Sequence, residues 1–312
     1  MQIYIHWAEF SHSLKKRDFA DITAALQLPA SAWTATTSRH GTLYYTLTID
    51  GTEAAAVTFP RHGTGTMTLR GSYFDADTAP ISDLWCLLQS TGSNPLRLDI
   101  SYLDDQRHLS VDEYRRMSQR DVYQDYITGT VTADRKRKRK TDAPDSTNRQ
   151  GVPDVHDNHP LIHYGDSDSR TFAKFYQRPD GLCKVEITLR DKAQAAALLD
   201  AYTAETEQAF NDLAKAALVK TINFVRPSTR HSRRPKKVAS WAAFLGSDVQ
   251  PVNWSAVTVP PEQKPVPQQL KYHIGRLQNF LARNGLADYI SQLLDLEMTL
   301  TTAYTTIQEP QH

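Results

Sequence analysis

The segment GTLYYTLTIDGTEAAAVTF (residues 41–59) sets two β-rich runs on either side of Asp50-Gly51. An Asp-Gly pair readily takes the left-handed backbone of a two-residue hairpin turn, which constrains this stretch to an antiparallel pair of strands. RTFAKFYQ (170–177) and LCKVEITLR (182–190) are joined in the same way through the turn sequence RPDG. Strand composition is also found in IYIHW (3–7), Thr66–Leu69, NPLRLDISYL (94–103) and LIHYG (161–165). Helical spacing marks residues 13–28, with Leu14, Phe19, Ile22, Ala25 and Leu26 on one side, and residues 79–90, with Leu84, Leu87 and Leu88 as core candidates. Ser110 with Glu113 three residues on is a capping box opening a helix over 110–126, and an Ala-rich helix is expected over 191–219. The expected fold class is α+β, an antiparallel sheet flanked by helices.

The 312 residues lead us to expect two domains. Residues 133–160 carry almost no apolar side chains and three prolines, too little to offset the entropy of ordering, and read as a mobile basic loop. Residues 226–237 (RPSTRHSRRPKK) read as a basic linker. They are followed by a short helix at 240–246, a proline-rich extended stretch, and amphipathic helices over 268–307 broken near Asn284-Gly285. The boundary is therefore expected near residue 222, with an α+β unit at 1–222 and a mostly helical region at 223–312.

Net charge is only +1, but its distribution is uneven. RKRKRK fills 135–140, residues 220–240 hold seven Lys/Arg and no acid, and residues 75–125 hold ten Asp/Glu against five Arg. Two readings stand: solvated loops and an acidic face, or nucleic acid on the basic segments with the acids reserved for a metal or for chemistry. No apolar window approaches 18 residues, and the opening MQIYIHWAEF lacks a basic region followed by an apolar one, so neither a membrane span nor a signal peptide is expected. With only Cys86 and Cys183 there is no disulfide framework, and a reducing, cytoplasmic setting is expected. The GxxxxGK[ST], GxGxxG and GxSxG motifs are absent. His156, His159 and His163, with Asp154 and Asp157, leave a metal site open, although they fall in the loop.

The candidates for chemistry lie on expected strands. Asp99 sits between apolar neighbours in RLDISYLDD, with Asp104 and Asp105 at the strand end, and Glu186 sits inside the apolar run KVEITLR. Lys174 and Tyr176 share one strand face. A carboxylate in a strand core is costly unless paired or metal-bound. Asp99 pairing with Arg97, Glu186 pairing with Lys184 or Arg190, and Tyr176 as plain core are the alternatives.

Taken in order, RLDI, HYGDSDSRTFAKFYQR and KVEITLR resemble the Rep_trans, or replication initiation factor, family. These are rolling-circle replication initiators of plasmids and some phages, with related conjugative relaxases. Tyr164-Gly165 with Ser169, Lys174-Phe175-Tyr176 and Lys184-Val185-Glu186 carry the resemblance, with Lys in place of the family's Arg at 174 and 184. It implies a sequence-specific nicking-closing endonuclease with Tyr176 as nucleophile, leaving a 5′-phosphotyrosine and a free 3′-OH. Tyr164 is the rival tyrosine. It further implies Lys174 as the cation that lowers the tyrosine pKa or holds the phosphate. Mg²⁺ or Mn²⁺ would be held by Asp99, Glu186 and Asp104, with Asp105 as the alternative to Asp104. Origin DNA, double-stranded and extruded single-stranded, would be the partner, together with a host helicase and polymerase; a homodimer is left open. Arg230, Arg233, Arg234, Lys236 and Lys237 are assigned to duplex DNA. A relaxase with the same chemistry and a non-catalytic DNA-binding regulator are the alternatives.

Overall fold

The computed structural model describes residues 1–75, 81–119, 127–130, 153–156, 159–165, 169–203, 206–226, 236–246 and 249–257. Ten strands form one sheet: β1 (Gln2–His12), β2 (Trp33–Thr37), β3 (Leu43–Ile49), β4 (Thr52–Phe59), β5 (Gly65–Leu69), β6 (Asn94–Asp104), β8 (Pro153–His156), β9 (His159–Tyr164), β10 (Thr171–Gln177) and β11 (Cys183–Leu189). Their order is β2-β3-β4-β5-β1-β6-β11-β10-β9-β8, and every neighbouring pair is antiparallel. A separate pair joins β7 (Ile127–Thr128) to β12 (Asn223–Phe224). The helices are α1 (Phe19–Ala25), α2 (Gly71–Asp75), α3 (Ser82–Ser90), α4 (Val111–Gln119), α5 (Lys192–Thr203), α6 (Glu207–Thr221), α7 (Ala239–Leu245) and α8 (Trp254–Val257). The expected α+β class is therefore the observed one. Both expected turns form as read: Asp50 and Gly51 take φ of 50° and 75°, and Gly181 of the RPDG turn takes 82°.

Strand alternation splits the sheet into a packed face and a half-exposed face. On the packed face Ala8, Phe10, Met67 and Leu69 are buried, and Phe10 lies 5.9 Å from Trp85 of α3. Farther along, Ile100, Tyr102, Val185, Ile187 and Phe175 continue the core. Tyr102 donates its hydroxyl to the Ala214 carbonyl of α6 at 2.7 Å, and the Tyr114 ring of α4 lies 4.8 Å from that of Phe175, tilted by 31°. The opposite face carries polar residues at the same strand positions, half-buried or exposed over β1 to β5.

Three expectations change. The stretch 191–219 forms two helices, because Thr206 takes extended backbone (φ −120°, ψ 116°) and the chain doubles back so that Tyr202 meets Phe210 at 5.2 Å. The expected loop over 133–160 includes β8 and the start of β9, a hairpin register in which Val155 faces Pro160 and His156 faces His159. The RKRKRK run lies outside the described residues. A boundary at 222 would divide one core. Phe224, Val238, Trp241, Phe244 and Val252 are buried in the same apolar cluster as the sheet, and Trp241 donates from Nε1 to Asn223 Oδ1 at 3.0 Å. The expected helices over 268–307 lie outside the described residues. No helix among the described residues is long and apolar enough to cross a membrane.

Candidate active site

Register across four adjacent strands assembles the site. Lys174 of β10 faces Glu186 of β11, and Tyr176 faces Lys184. Glu186 in turn faces Ser101 of β6, Thr188 faces Asp99, and Ser101 faces Tyr4 of β1. Each of these residues is two or a multiple of two positions from its strand neighbour in the set, so all project to the same face. One residue enters by a different route. Between Ile5, which faces Ile100, and Trp7, which faces Asp99, β1 carries a bulge that accommodates His6 as an extra residue. Bulges re-aim side chains, and here the His6 imidazole is brought to the polar face, with Nε2 3.4 Å from Glu186 Oε1. Gly71, at the start of α2, makes room for it: a Cβ there would fall 2.9 Å from both ring nitrogens.

Glu186 Oε1 is the hub. It accepts from the Tyr176 hydroxyl at 3.2 Å and from Ser101 Oγ at 3.2 Å, and lies 3.0 Å from Lys184 Nζ. Its other oxygen, Oε2, is 3.9 Å from Lys174 Nζ. Glu186 is 5% exposed. Burial alone would raise its pKa, but Lys184, His6 and Lys174 outweigh that and hold the carboxyl below the usual range, so it is ionised at neutral pH. Burial likewise opposes the Lys184 ammonium, and Glu186, Tyr176 and Tyr4 reverse the effect, leaving its pKa raised. Burial, then the Glu186 charge, pushes the Tyr176 phenol up, with Lys184 pulling against them. The Lys184 ammonium lies 5.2 Å from the Tyr4 ring centre and 5.8 Å from that of Tyr176. Tyr4, His6, Tyr176, Arg178 and Lys184 line a cavity of about 470 Å³.

Tyr176, Lys174, Glu186 and Asp99 thus fall on one face, as the alternation implies, but their partners differ from those expected. Lys174 pairs with Glu186, and the cation beside the phenol is Lys184. Tyr164 is buried on the other face, 5.6 Å from Phe224. Asp104 does not join the set. It stands five residues after Asp99, an odd spacing that turns it to the packed face, where its Oδ2 accepts from the Leu109 amide at 2.6 Å. Asp105 Oδ1 instead lies 2.6 Å from the Met1 amino nitrogen. Both oxygens of Asp99 are taken by Arg97, at 2.9 and 2.6 Å, which realises the pairing alternative. Mg²⁺ and Mn²⁺ seek several oxygen ligands not already neutralised. As arranged, the expected three carboxylates do not fit such an ion: one is on the wrong face, one is clamped by a guanidinium, and one is matched by two ammonium groups. Among the described residues no group of three His, Cys, Asp or Glu could hold a metal. Of the residues assigned to duplex DNA, Arg230, Arg233 and Arg234 lie outside the described residues. Lys236 and Lys237 belong to a short antiparallel bridge with Val225 and Arg226, and Lys237 Nζ donates to the Val249 carbonyl at 2.7 Å. Sequence reasoning missed His6, Tyr4, Ser101 and Arg178 as site residues; its alternative of Lys184 pairing with Glu186 is realised at 3.0 Å, but it did not place Lys184 beside the phenol.

No protein-family model matches the chain, and no curated protein matches it in sequence. The fold is that of a known class. The chain is similar to the structure of a rolling circle replication initiator protein from Geobacillus stearothermophilus, at 16% identity and a TM-score of 0.58, over 81% of this chain and 98% of that one.

Proposed function

We propose that the protein is a replication initiator of the rolling-circle type that nicks and rejoins origin DNA through Tyr176. The observation that carries this reading is the Tyr176 hydroxyl, hydrogen-bonded to an ionised Glu186 and flanked by Lys184 at the mouth of a basic pocket, on the fold of a rolling-circle initiator. A tyrosine with a raised pKa keeps its proton in the free protein, so deprotonation has to accompany attack. Glu186 Oε1 accepts that proton as the phenolic oxygen bonds to phosphorus. The bond from phosphorus to the 3′ oxygen breaks, and the 3′ oxygen leaves as a hydroxyl after taking up a proton from solvent in the open pocket. Lys184 and Lys174, released from Glu186 as it is neutralised, meet the charge on the phosphoryl oxygens. The phosphotyrosine ester conserves the bond energy, so rejoining runs by the reverse steps, consistent with the absence of a P-loop. A requirement for Mg²⁺ or Mn²⁺ rests on the family resemblance alone, and no step here depends on it.

The test is covalent capture. Supercoiled DNA carrying the region that flanks the gene, with Mg²⁺, Mn²⁺ or chelator, is expected to yield open circles and a denaturant-resistant adduct with the wild type. Tyr176→Phe, which lacks only the attacking oxygen, should give neither yet bind DNA normally. An adduct that survives in Tyr176→Phe sinks the assignment. A wild type that shifts DNA without ever cutting it would favour the non-catalytic regulator. Mapping the nick to a replication or a transfer origin separates an initiator from a relaxase.

A further inference from the structure

The tetrapeptide Arg-His-Gly-Thr occurs twice, at 39–42 between β2 and β3 and at 61–64 between β4 and β5. The fold brings the two copies together. Thr37 faces Leu43 and Leu43 faces Phe59, so both turns leave the sheet at the same end. They touch: a Cβ on Gly41 would lie 3.3 Å from Arg61 Cδ and Nε, so the Arg61 stem rests on the Gly41 backbone. Gly41 and Gly63 take φ of 78° and 84°, the left-handed conformation that closes each turn. Both turns are tied down at their bases. Ser38 N donates to the Thr42 carbonyl at 2.8 Å, and Thr66 N donates to Thr58 Oγ1 at 2.8 Å.

Arg39, His40, Arg61 and His62 are all exposed, and Arg39 and Arg61 make no ion pair among the described residues. No Asp or Glu occurs over 30–47 or 54–74. Lys15 and Lys16 are exposed beside them, because they follow His12, which faces Gly65 next to the second turn. The half-exposed face leading from this rim towards Trp7 is lined by Thr34, Thr46, Thr58, Thr66 and Thr68, with Tyr44 36% exposed. From the rim to His6 is about 20 Å along β1 and about 10 Å across the strands between.

We infer that the paired Arg-His-Gly-Thr turns form a second DNA-binding site, a clamp for the phosphodiester backbone at a distance from the cut. The inference rests on the DNA-nicking reading above. Two guanidiniums on rigid, adjoining turns present fixed donor forks, which suits phosphate oxygens better than mobile lysines do. Between the rim and the pocket the face carries uncharged threonine hydroxyls, and the acidic side chain on that path, Glu9, stands opposite Arg97 as well as Thr68, so its charge is countered.

Salt-dependent binding of the full chain tests it, with three fluorescent probes: a single strand long enough to span pocket and rim, the same strand as duplex, and a short strand covering the pocket only. In Arg39→Gln/Arg61→Gln the slope of log K against log salt should fall by about 1.8 for the duplex or about 1.4 for the long strand, two lost phosphate contacts in each case. Which probe responds tells whether the rim holds duplex or single strand. The short probe should be unaffected, Arg39→Lys/Arg61→Lys should keep the slope, and thermal melts should coincide because all these sites are exposed. Unchanged slopes on both long probes, with a wild type that still forms the Tyr176 adduct, overturn the clamp alone. A wild type that binds none of the probes overturns the DNA reading and the clamp with it.

Discussion

Lys184→Met isolates the charge arrangement on which the site depends. In the wild type the buried Glu186 carboxylate has Lys184 at 3.0 Å, His6 at 3.4 Å and Lys174 at 3.9 Å. Removing the closest cation leaves a buried anion with weaker compensation. Breaking one partner of a buried pair costs about 3–5 kcal/mol, and the remaining Lys174 and His6 place this variant near the lower end, about 3 kcal/mol. Replacing both partners, Lys184→Met with Glu186→Gln, removes the stranded charge. The double variant should therefore be more stable than the sum of the two losses by about 1–3 kcal/mol. The pH dependence follows with a definite sign. Glu186 has a lowered folded pKa, so its contribution to stability is present above the unfolded carboxyl pKa, about 4.3, and is lost as pH falls through the folded value. Lys184→Met should flatten that acid limb. Urea denaturation at neutral pH and again below about pH 4, read by linear extrapolation, measures both effects. A single-variant cost below about 1 kcal/mol, or strict additivity in the double variant, would refute the account of Glu186 as a charge held by its neighbours.

Other consequences can be read as directly. Gly71→Ala should push the His6 ring off Glu186 and slow adduct formation while DNA affinity holds; single-turnover cleavage checks this, and an unchanged rate removes His6 from the machinery. His12 is buried beside Gly65 and Phe59, and its burial lowers its pKa. The folded state therefore resists its protonation. Stability should be level above about pH 6.5 and fall as pH drops below that, a slope that His12→Leu should lessen in urea titrations. Trp241→Ala removes a fully buried ring and the partner of Asn223, and should cost about 3–5 kcal/mol by chemical denaturation. A loss under about 1 kcal/mol would show that α7 is not part of the core.

The strand period of two makes much of the site legible in the sequence. Positions 174 and 176, 184 and 186, and 99 and 101 must each share a face, and the turn sequences DG and RPDG fix two of the hairpins. The same parity turns Asp104 away from Asp99, because the two stand an odd number of residues apart. Strand order is what the sequence does not carry. Only the adjacency of β11, β6 and β1 brings Ser101 and Tyr4 to the site, whereas Lys184 stands opposite Tyr176 through the register of the β10–β11 hairpin itself. His6 is beyond reach for a related reason. In a regular strand it would alternate with Trp7, and only the bulge between Ile5 and Trp7 puts both on the polar side. A boundary near 222 fails because the polarity of 226–237 imitates a separating linker, whereas apolar anchors on either side of it, Phe224 and Trp241, close on one core 4.9 Å apart.

One sheet therefore serves two incompatible solvents. Its packed face takes Leu98, Ile100, Val185 and Ile187 out of water. Its other face holds Arg97, Asp99, Lys184 and Glu186 at positions that alternate with them on the same strands, and Lys174 beside buried Phe175 on β10. Burying charge is expensive, and here the cost is met pairwise: Arg97 against Asp99, and two lysines against Glu186. Among these five side chains there is one more cation than carboxylate, and Arg178 at the pocket wall is paired with Asp180 at 3.1 Å. On the proposed reading, that surplus suits a phosphodiester. Because the strands already hold these groups beside the phenol, the lysines need only turn from the neutralised carboxyl to a phosphoryl oxygen as charge develops there. On the proposed chemistry, Glu186 has a double part. As an anion it keeps two lysines ordered in the absence of DNA, and on taking the Tyr176 proton it frees them for the phosphate. The same residue then links folding stability to catalysis, since a substitution that relieves its buried charge also removes the acceptor for the nucleophile's proton.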